Sequence, residues 1–406
     1  MDRSPLASPL PPNPNRLPSR TAAWLFSLTR LFLLTRLFLL TLLVAVGCSP
    51  GTSTNFGTFA GTDSSGGDDT GSVSPGDDTQ GQPPTSKLSQ GDPVELVTNT
   101  KYFGRANEVI QTAQQKLRVV QFETGVGDAP DLLVKALIGA QNRGVDVKVL
   151  LDQEIAYNKD TMDTLKAAGV SVIMDSSKLR THAKIVASEQ GFVIGSTNWS
   201  STSISKNNET NILVRDAGLT AQLHTWLDKL WKTPNINVSM PSGGSTVATL
   251  YADGGFAALA GPMLDGAKSG STILLCTYGM NVDPTDGSSM VTKTVNKIGA
   301  AVTRGAKVQV VLDMSYDAGD GSAAFNKAAG DYLKKLGCDV KIATAAKITH
   351  AKFMVVDNTV IMGSNNWGYG GFTSYHEVGA KFSGNQAVSD LKTYFGGLWT
   401  TGTAWQ

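Results

Sequence analysis

The chain has 406 residues, 35 of them basic and 34 acidic, with 41% hydrophobic residues, 3 cysteines and 4 histidines. That length holds about two ordinary domains plus appendages. So few cysteines exclude a disulfide framework, and the charge balance excludes a chain that is basic throughout, leaving only a local patch as a route to nucleic acid.

Residues 1–48 read as a targeting segment. A leader bearing Pro and Arg runs into the apolar stretch Ala22–Val46, with Thr-Arg-Leu-Phe-Leu-Leu in tandem at 29–34 and 35–40, and ends Leu43-Val44-Ala45-Val46-Gly47-Cys48. A basic start, an apolar middle and a small residue at the cleavage point predict a secretory signal. Its end resembles a bacterial lipobox, with Ala45 standing where leucine is usual. The resemblance implies an exported lipoprotein anchored to the cell envelope through Cys48. An uncleaved anchor or ordinary secretion is the alternative, although Arg30 and Arg36 disfavour a clean membrane span. Without this segment, which carries five arginines and one aspartate, 30 basic and 33 acidic residues remain, so the body is mildly acidic.

Residues 49–92 are dominated by Gly, Ser, Thr, Asp and Pro and predict a flexible tether. Two α/β repeats are expected after it, at 93–236 and 237–406, joined near Pro234–Pro241. In the first, 117–122 reads as a strand, 129–141 as a helix, 147–152 as a largely apolar strand of a sheet covered on both faces, 160–168 as a helix and 170–174 as a strand. The second gives strands at 273–278, 307–313 and 339–342 and helices at 291–303 and 323–336. Arg143-Gly144-Val145 matches Arg304-Gly305-Ala306 at an offset of 161, as Asp152 matches Asp313.

Two copies of a polar pattern close the repeats. The first is Thr181-His182-Ala183-Lys184, Gly195-Ser196-Thr197-Asn198-Trp199 and Glu209; the second is Thr349-His350-Ala351-Lys352, Gly363-Ser364-Asn365-Asn366-Trp367 and Glu377. The offset is 168 throughout, so the second copy carries seven extra residues, expected around Tyr316–Ser322. A constant register marks a duplicated unit. A duplicated core would repeat apolar residues, whereas this unit repeats a half-site.

Residues 182–186 read as a strand that places His and Lys, two apart, on one face. Turns at 188–191 and at Asp357-Asn358 predict hairpins that bring His, Lys, Ser and Asn together. Such a cluster suits a phosphate: Lys184 and Lys352 supply charge, Ser196, Asn198, Ser364 and Asn366 supply donors, and the glycines let backbone N–H groups approach. His182 and His350 supply a nucleophile or a proton-transfer group. Glu209 and Glu377 each supply the carboxylate that fixes a ring tautomer.

These motifs resemble the His-x-Lys-x4-Asp and Gly-Ser-x-Asn signatures of the phospholipase D superfamily, over roughly residues 95–406. The resemblance implies an α/β fold of two duplicated α/β/α sandwich units, related by a pseudo-twofold axis and sharing one active site. One histidine would attack phosphorus to give a phosphohistidine and the other would protonate the leaving oxygen, with no metal or cofactor. No metal-ligand spacing is present in the sequence, and a site complete in one chain calls for no obligate protein partner. Glu189 stands where the family has Asp, while Asp357 keeps it. Both fall in the hairpin turn, so the acid is expected to be structural.

Other candidates are His224, read as packing on a helix; His376, read as pocket or rim; Tyr278 and Asp313, at strand ends that face the site or simply cap it; and the aromatic loop 367–372, which could meet lipid headgroups or bases or pack the mouth. Cys276 and Cys338 read as buried packing residues. Three functions fit: a phosphodiesterase of phospholipid headgroups at a membrane surface, with transfer between lipids sharing its chemistry; an exported, metal-independent endonuclease; and a non-catalytic binding module. The intact half-sites disfavour the last. The tether and the acidic body favour lipid, and the compact size favours the nuclease.

Overall fold

A computed structural model describes residues 87–176, 179–243, 245–314, 322–344 and 346–406. The targeting segment with Cys48, the tether up to residue 86 and all but the last residue of the insertion expected around Tyr316–Ser322 lie outside the described residues.

The first repeat forms a sheet of β1 (Val94–Thr98), β2 (Lys116–Gln121), β3 (Asp146–Leu151), β4 (Ser171–Met174), β5 (Ile185–Ser188), β6 (Gly191–Gly195) and β7 (Thr210–Val214). Its order is β1-β7-β6-β5-β2-β3-β4, with β2, β3 and β4 parallel and the remaining pairs antiparallel. The second repeat supplies β8 (Thr249–Ala252), β9 (Thr272–Thr277), β10 (Lys307–Leu312), β11 (Asp339–Ile342), β12 (Phe353–Val356), β13 (Thr359–Gly363), β14 (Val378–Ser383) and the short β15 (Thr403–Ala404). The order β8-β14-β13-β12-β9-β10-β11 reproduces the first sheet strand for strand, and β15 adds an edge beyond β11. Apart from the strand expected at 182–186, the strands foreseen for both repeats form within one residue of their expected ends.

Helices cover the sheets because their apolar stripes have no other place to go. One central core joins Val120, Ile194 and Ile212 of the first sheet to Phe353, Met362 and Val378 of the second, together with the helices Ala217–Lys232 and Gln386–Thr401. The outer face of the first sheet packs on helices Lys101–Thr112 and Asp128–Asn142. That of the second packs on Phe256–Asp265, Met290–Thr303 and Ser322–Lys335. Cys276 and Cys338 are free thiols within these cores.

Two expectations need correction. Lys87–Asp92, assigned to the tether, is tied to the body: Leu88 N donates to Gln190 Oε1 (2.8 Å), Ser89 N to Glu108 Oε1 (2.7 Å), and Arg215 binds the Ser89 and Asp92 carbonyls. His182 and Lys184 also precede their strand rather than lie in it, since β5 begins at Ile185 and β12 at Phe353. What holds these residues is the opposite half. His182 N donates to His376 O (2.9 Å) and His376 N to Arg180 O (2.9 Å), while His350 N donates to Asn208 O (2.9 Å) and Asn208 N to Ile348 O (2.8 Å). Each histidine's backbone is thus clamped by the residue that precedes the other half's glutamate.

The hairpin turns are structural, as expected of their acids. Glu189 accepts from the Gln114, Gln115 and Lys116 amides (2.8, 3.3 and 3.2 Å), and Asp357 from Thr272 N and Ser271 Oγ (both 2.9 Å). A glutamate in place of aspartate therefore still ties its turn to the adjoining strand.

Candidate active site

His182 and His350 line one cavity of about 930 Å³ between the halves. Their carboxylate partners are exchanged. His182 Nδ1 lies 3.0 Å from Glu377 Oε1, and His350 Nδ1 lies 3.0 Å from Glu209 Oε2. Each half contributes a histidine to one pair and a glutamate to the other, so neither half holds a complete site. Burial pushes the His182 pKa down to about 4 against the pull of Glu377, and lowers that of His350 in the same way. Burial works to raise the two glutamates, but the histidine, lysine and serine beside each hold both below the ordinary value. The rings are accordingly neutral and the carboxylates ionised. A neutral ring that donates from Nδ1 carries its lone pair on Nε2.

Lys184 and Lys352 are buried beneath the histidines, each donating to the carbonyl of its own histidine at 2.5 Å. Lys184 Nζ sits over the Phe122 ring and Lys352 Nζ over the Tyr278 ring (5.0 and 5.1 Å to the centroids), and the same rings meet His182 and His350 edge-on at 4.9 and 4.8 Å. Burial lowers Lys184 to about 8 and Lys352 to about 7. Burying an ammonium costs on the order of several kcal/mol, a cost that stability alone does not explain.

The expected phosphate donors divide. Asn198 and Asn366 line the cavity. Ser196 and Ser364 do not: the Ser196 hydroxyl donates to Glu209 Oε2 (2.5 Å) and accepts from Thr210 N (2.9 Å), while that of Ser364 donates to Glu377 and accepts from Val378 N (3.0 Å). The serines fix the glutamates rather than a phosphate, because an ionised buried carboxylate needs donors. The glycines before them serve the sheet. A Cβ at Gly195 would stand 2.4 Å from Thr210 O, and one at Gly363 would stand 2.4 Å from Val378 O.

The remaining candidates are placed as follows. Asp152 and Asp313 accept from the backbone N of Thr181 (2.7 Å) and Thr349 (2.5 Å), fixing the residue before each histidine. Tyr278 lines the cavity. His376 is neither pocket nor rim: it is fully buried, its Nδ1 donating to Asp253 Oδ2 (2.9 Å) and its Nε2 to Pro234 O (3.0 Å). Burial opposes its charge, but those two acceptors hold its pKa above the usual histidine value. His224 is structural, donating from Nε2 to Ser188 O (2.8 Å). In the aromatic loop Trp367 and Phe372 pack on Phe256, while Tyr369 stands 76% exposed at the mouth.

Sequence reasoning missed Phe122, Glu123 and Arg180, which all line the cavity. Phe122 directly follows its strand as Tyr278 does, and the strand-end argument made for one applied to both. Glu123 Oε2 accepts from Asn198 Nδ2 (3.0 Å), and the Arg180 guanidinium pairs with Glu154 and lies over the Phe122 and Tyr375 rings (5.5 and 5.4 Å). Neither has a charged counterpart in the second half, so a search for repeated residues passed over both. Among the described residues no group of three or more His, Cys, Asp or Glu could hold a metal ion.

Comparison with known proteins agrees with this architecture. The family model described as "Cardiolipin synthase, PLD-like domain" matches residues 107–231 and 262–399, and the chain belongs to the phospholipase D superfamily. It is 32% identical over 123 residues to a phospholipase D of Rickettsia bellii, covering 30% of this chain and 59% of that protein. It is 25% identical over 126 residues to the mitochondrial cardiolipin hydrolase of Chlamydomonas reinhardtii, covering 30% of this chain and 55% of that protein. The chain thus spans somewhat over half the length of these relatives. Among solved structures, the phosphatidylserine synthase of Haemophilus influenzae shares the fold, with a TM-score of 0.64 at 11% identity over 77% of this chain and 87% of that one.

Proposed function

We propose that the protein is a phosphodiesterase that cleaves, or transfers, the headgroup of a phospholipid through a phosphohistidine. The exchanged His–Glu pairs carry the reading. The lone pair on Nε2 of one histidine attacks phosphorus, and the bond to the leaving alcohol breaks with its electrons on oxygen. The other histidine, charged once a phosphodiester anion enters beside it and raises its pKa, gives that oxygen a proton. Water, or a second alcohol, then attacks the phosphohistidine. It yields its proton to the second histidine as the P–N bond breaks, and the first ring is restored. Lys184, Lys352, Asn198 and Asn366 offset charge on the phosphoryl oxygens.

Lipid is favoured over nucleic acid by the lining and rim of the cavity. Arg180 is the one Lys or Arg among the described residues that line it, and it is committed to Glu154; Glu123 adds a negative charge. A polyanion tracked along a groove calls for several basic contacts. The mouth instead exposes Tyr369, Phe325 and Tyr157 (76%, 45% and 44%), side chains that suit a headgroup layer. The family description and the names of the relatives, which concern cardiolipin and phospholipids, point the same way. We include in the proposal an export signal and a lipid anchor at Cys48, which would hold the site near a bilayer. Incubating the full chain with phospholipid vesicles and, separately, with plasmid DNA tests this reading. Release of headgroup with intact plasmid is expected, and nicked plasmid with untouched lipid would reverse it.

A further inference from the structure

The half-sites are symmetric at their histidines and unlike in the residues they bring to the cavity wall. Trp199 N donates to Glu123 O (2.9 Å) and Trp367 N donates to Gly279 O (2.8 Å), so Glu123 and Gly279 hold equivalent places. Arg180 and Ile348, each two residues before a histidine, are equivalent by the same register. The first half therefore brings Glu123 and Arg180 to the cavity, and the second brings Gly279, Met280 and Ile348. A Cβ at Gly279 would make only ordinary contact, 3.6 Å from Asn366 Cγ, so the second half leaves room where the first places a carboxylate.

A carboxylate beside a site for an anion weakens anion binding unless it contacts something else on the substrate. On the reading that the substrate is a phospholipid, we propose that Glu123 is the specificity-determining residue for the headgroup. It receives an alcohol that bears a hydrogen-bond donor, an ammonium or a hydroxyl, and the diacylglycerol part lies over the apolar Gly279 side. Charge-assisted hydrogen bonds are about twice as strong as neutral ones, so the carboxylate distinguishes such a headgroup from one without donors.

The test compares kcat/KM of the full chain on mixed micelles of phosphatidylethanolamine and of phosphatidylmethanol, a diester whose headgroup has neither donor nor charge. Wild type is expected to prefer phosphatidylethanolamine by about tenfold or more, the discrimination typical of one donor met by a charged acceptor. Glu123→Gln should bring that ratio to about twofold or less, and Glu123→Asp, which keeps the charge, should retain most of it. If Glu123→Gln lowers both rates and leaves the ratio intact, Glu123 merely positions Asn198 and the proposal is overturned. If wild type cleaves neither lipid, the phospholipid reading itself fails and the proposal falls with it.

Discussion

His182 of the first half and Glu377 of the second are joined by a hydrogen bond of 3.0 Å between Nδ1 and Oε1, and His350 and Glu209 repeat it in the opposite sense at 3.0 Å. On the proposed mechanism, the exchange makes the interface between the halves part of the catalytic machinery. It also predicts which histidine each glutamate controls. Glu377→Gln should disturb the tautomer and pKa of His182 and leave those of His350 largely in place, as read by ¹⁵N NMR of the rings. Turnover should fall by about two to four orders of magnitude, the scale seen when a histidine loses the acid that orients it. A matching change at His350 instead would contradict the pairing.

The two histidines should act as one unit. His182→Ala and His350→Ala should each abolish turnover, and the double variant should be hardly worse, because residues that share one reaction are non-additive. A folded single variant with near wild-type rate would rule out a composite site.

Serine substitutions separate support from substrate contact. Ser364→Ala leaves Glu377 without the Ser364 hydroxyl and should cost about 1–3 kcal/mol of stability, measured by denaturant unfolding, with kcat reduced and KM little changed. A large rise in KM at unchanged stability would restore Ser364 as a phosphate ligand.

The pH dependence follows from burial. His182 and Lys352 have folded pKa values below their ordinary ones, so the unfolded chain binds more protons between about 4 and 6.5 for the first and between about 7 and 10.5 for the second. Stability should therefore rise with pH across both windows. Activity should behave differently, with kcat/KM falling above about pH 7–8 as Lys352 and then Lys184 lose their charge. Lys352→Met should remove the part of the rise of Tm that begins near pH 7, leaving the smaller rise that Lys184 contributes above about pH 8. A Tm that falls steadily over that range in wild type would contradict a buried lysine.

Much of this was legible in the sequence because repetition is visible without coordinates. The fixed register of 168 located both half-sites, and turn residues at 188–191 and at 357–358 fixed the hairpins. The exchange of glutamates was not legible. Register says that Glu209 and Glu377 are equivalent but not which histidine each faces, since that depends on how the halves dock. Ser196 and Ser364 were misread because a hydroxyl in a phosphate-like motif is chemically able to face either the ligand or a buried acid, and the ionised glutamates decided it. Glu123 and Arg180 were missed because they break the repeat.

The central claim is that a histidine at the junction of the halves takes the phosphoryl group. Rapid acid-free quenching of the full chain with phospholipid labelled at phosphorus, followed by peptide mass spectrometry, tests it most directly. One phosphoramidate per chain is expected, on either His182 or His350, absent in the variant lacking that residue and longer-lived when the other histidine is replaced. Turnover of the lipid with no adduct on either ring, or with label on a serine, would contradict the account.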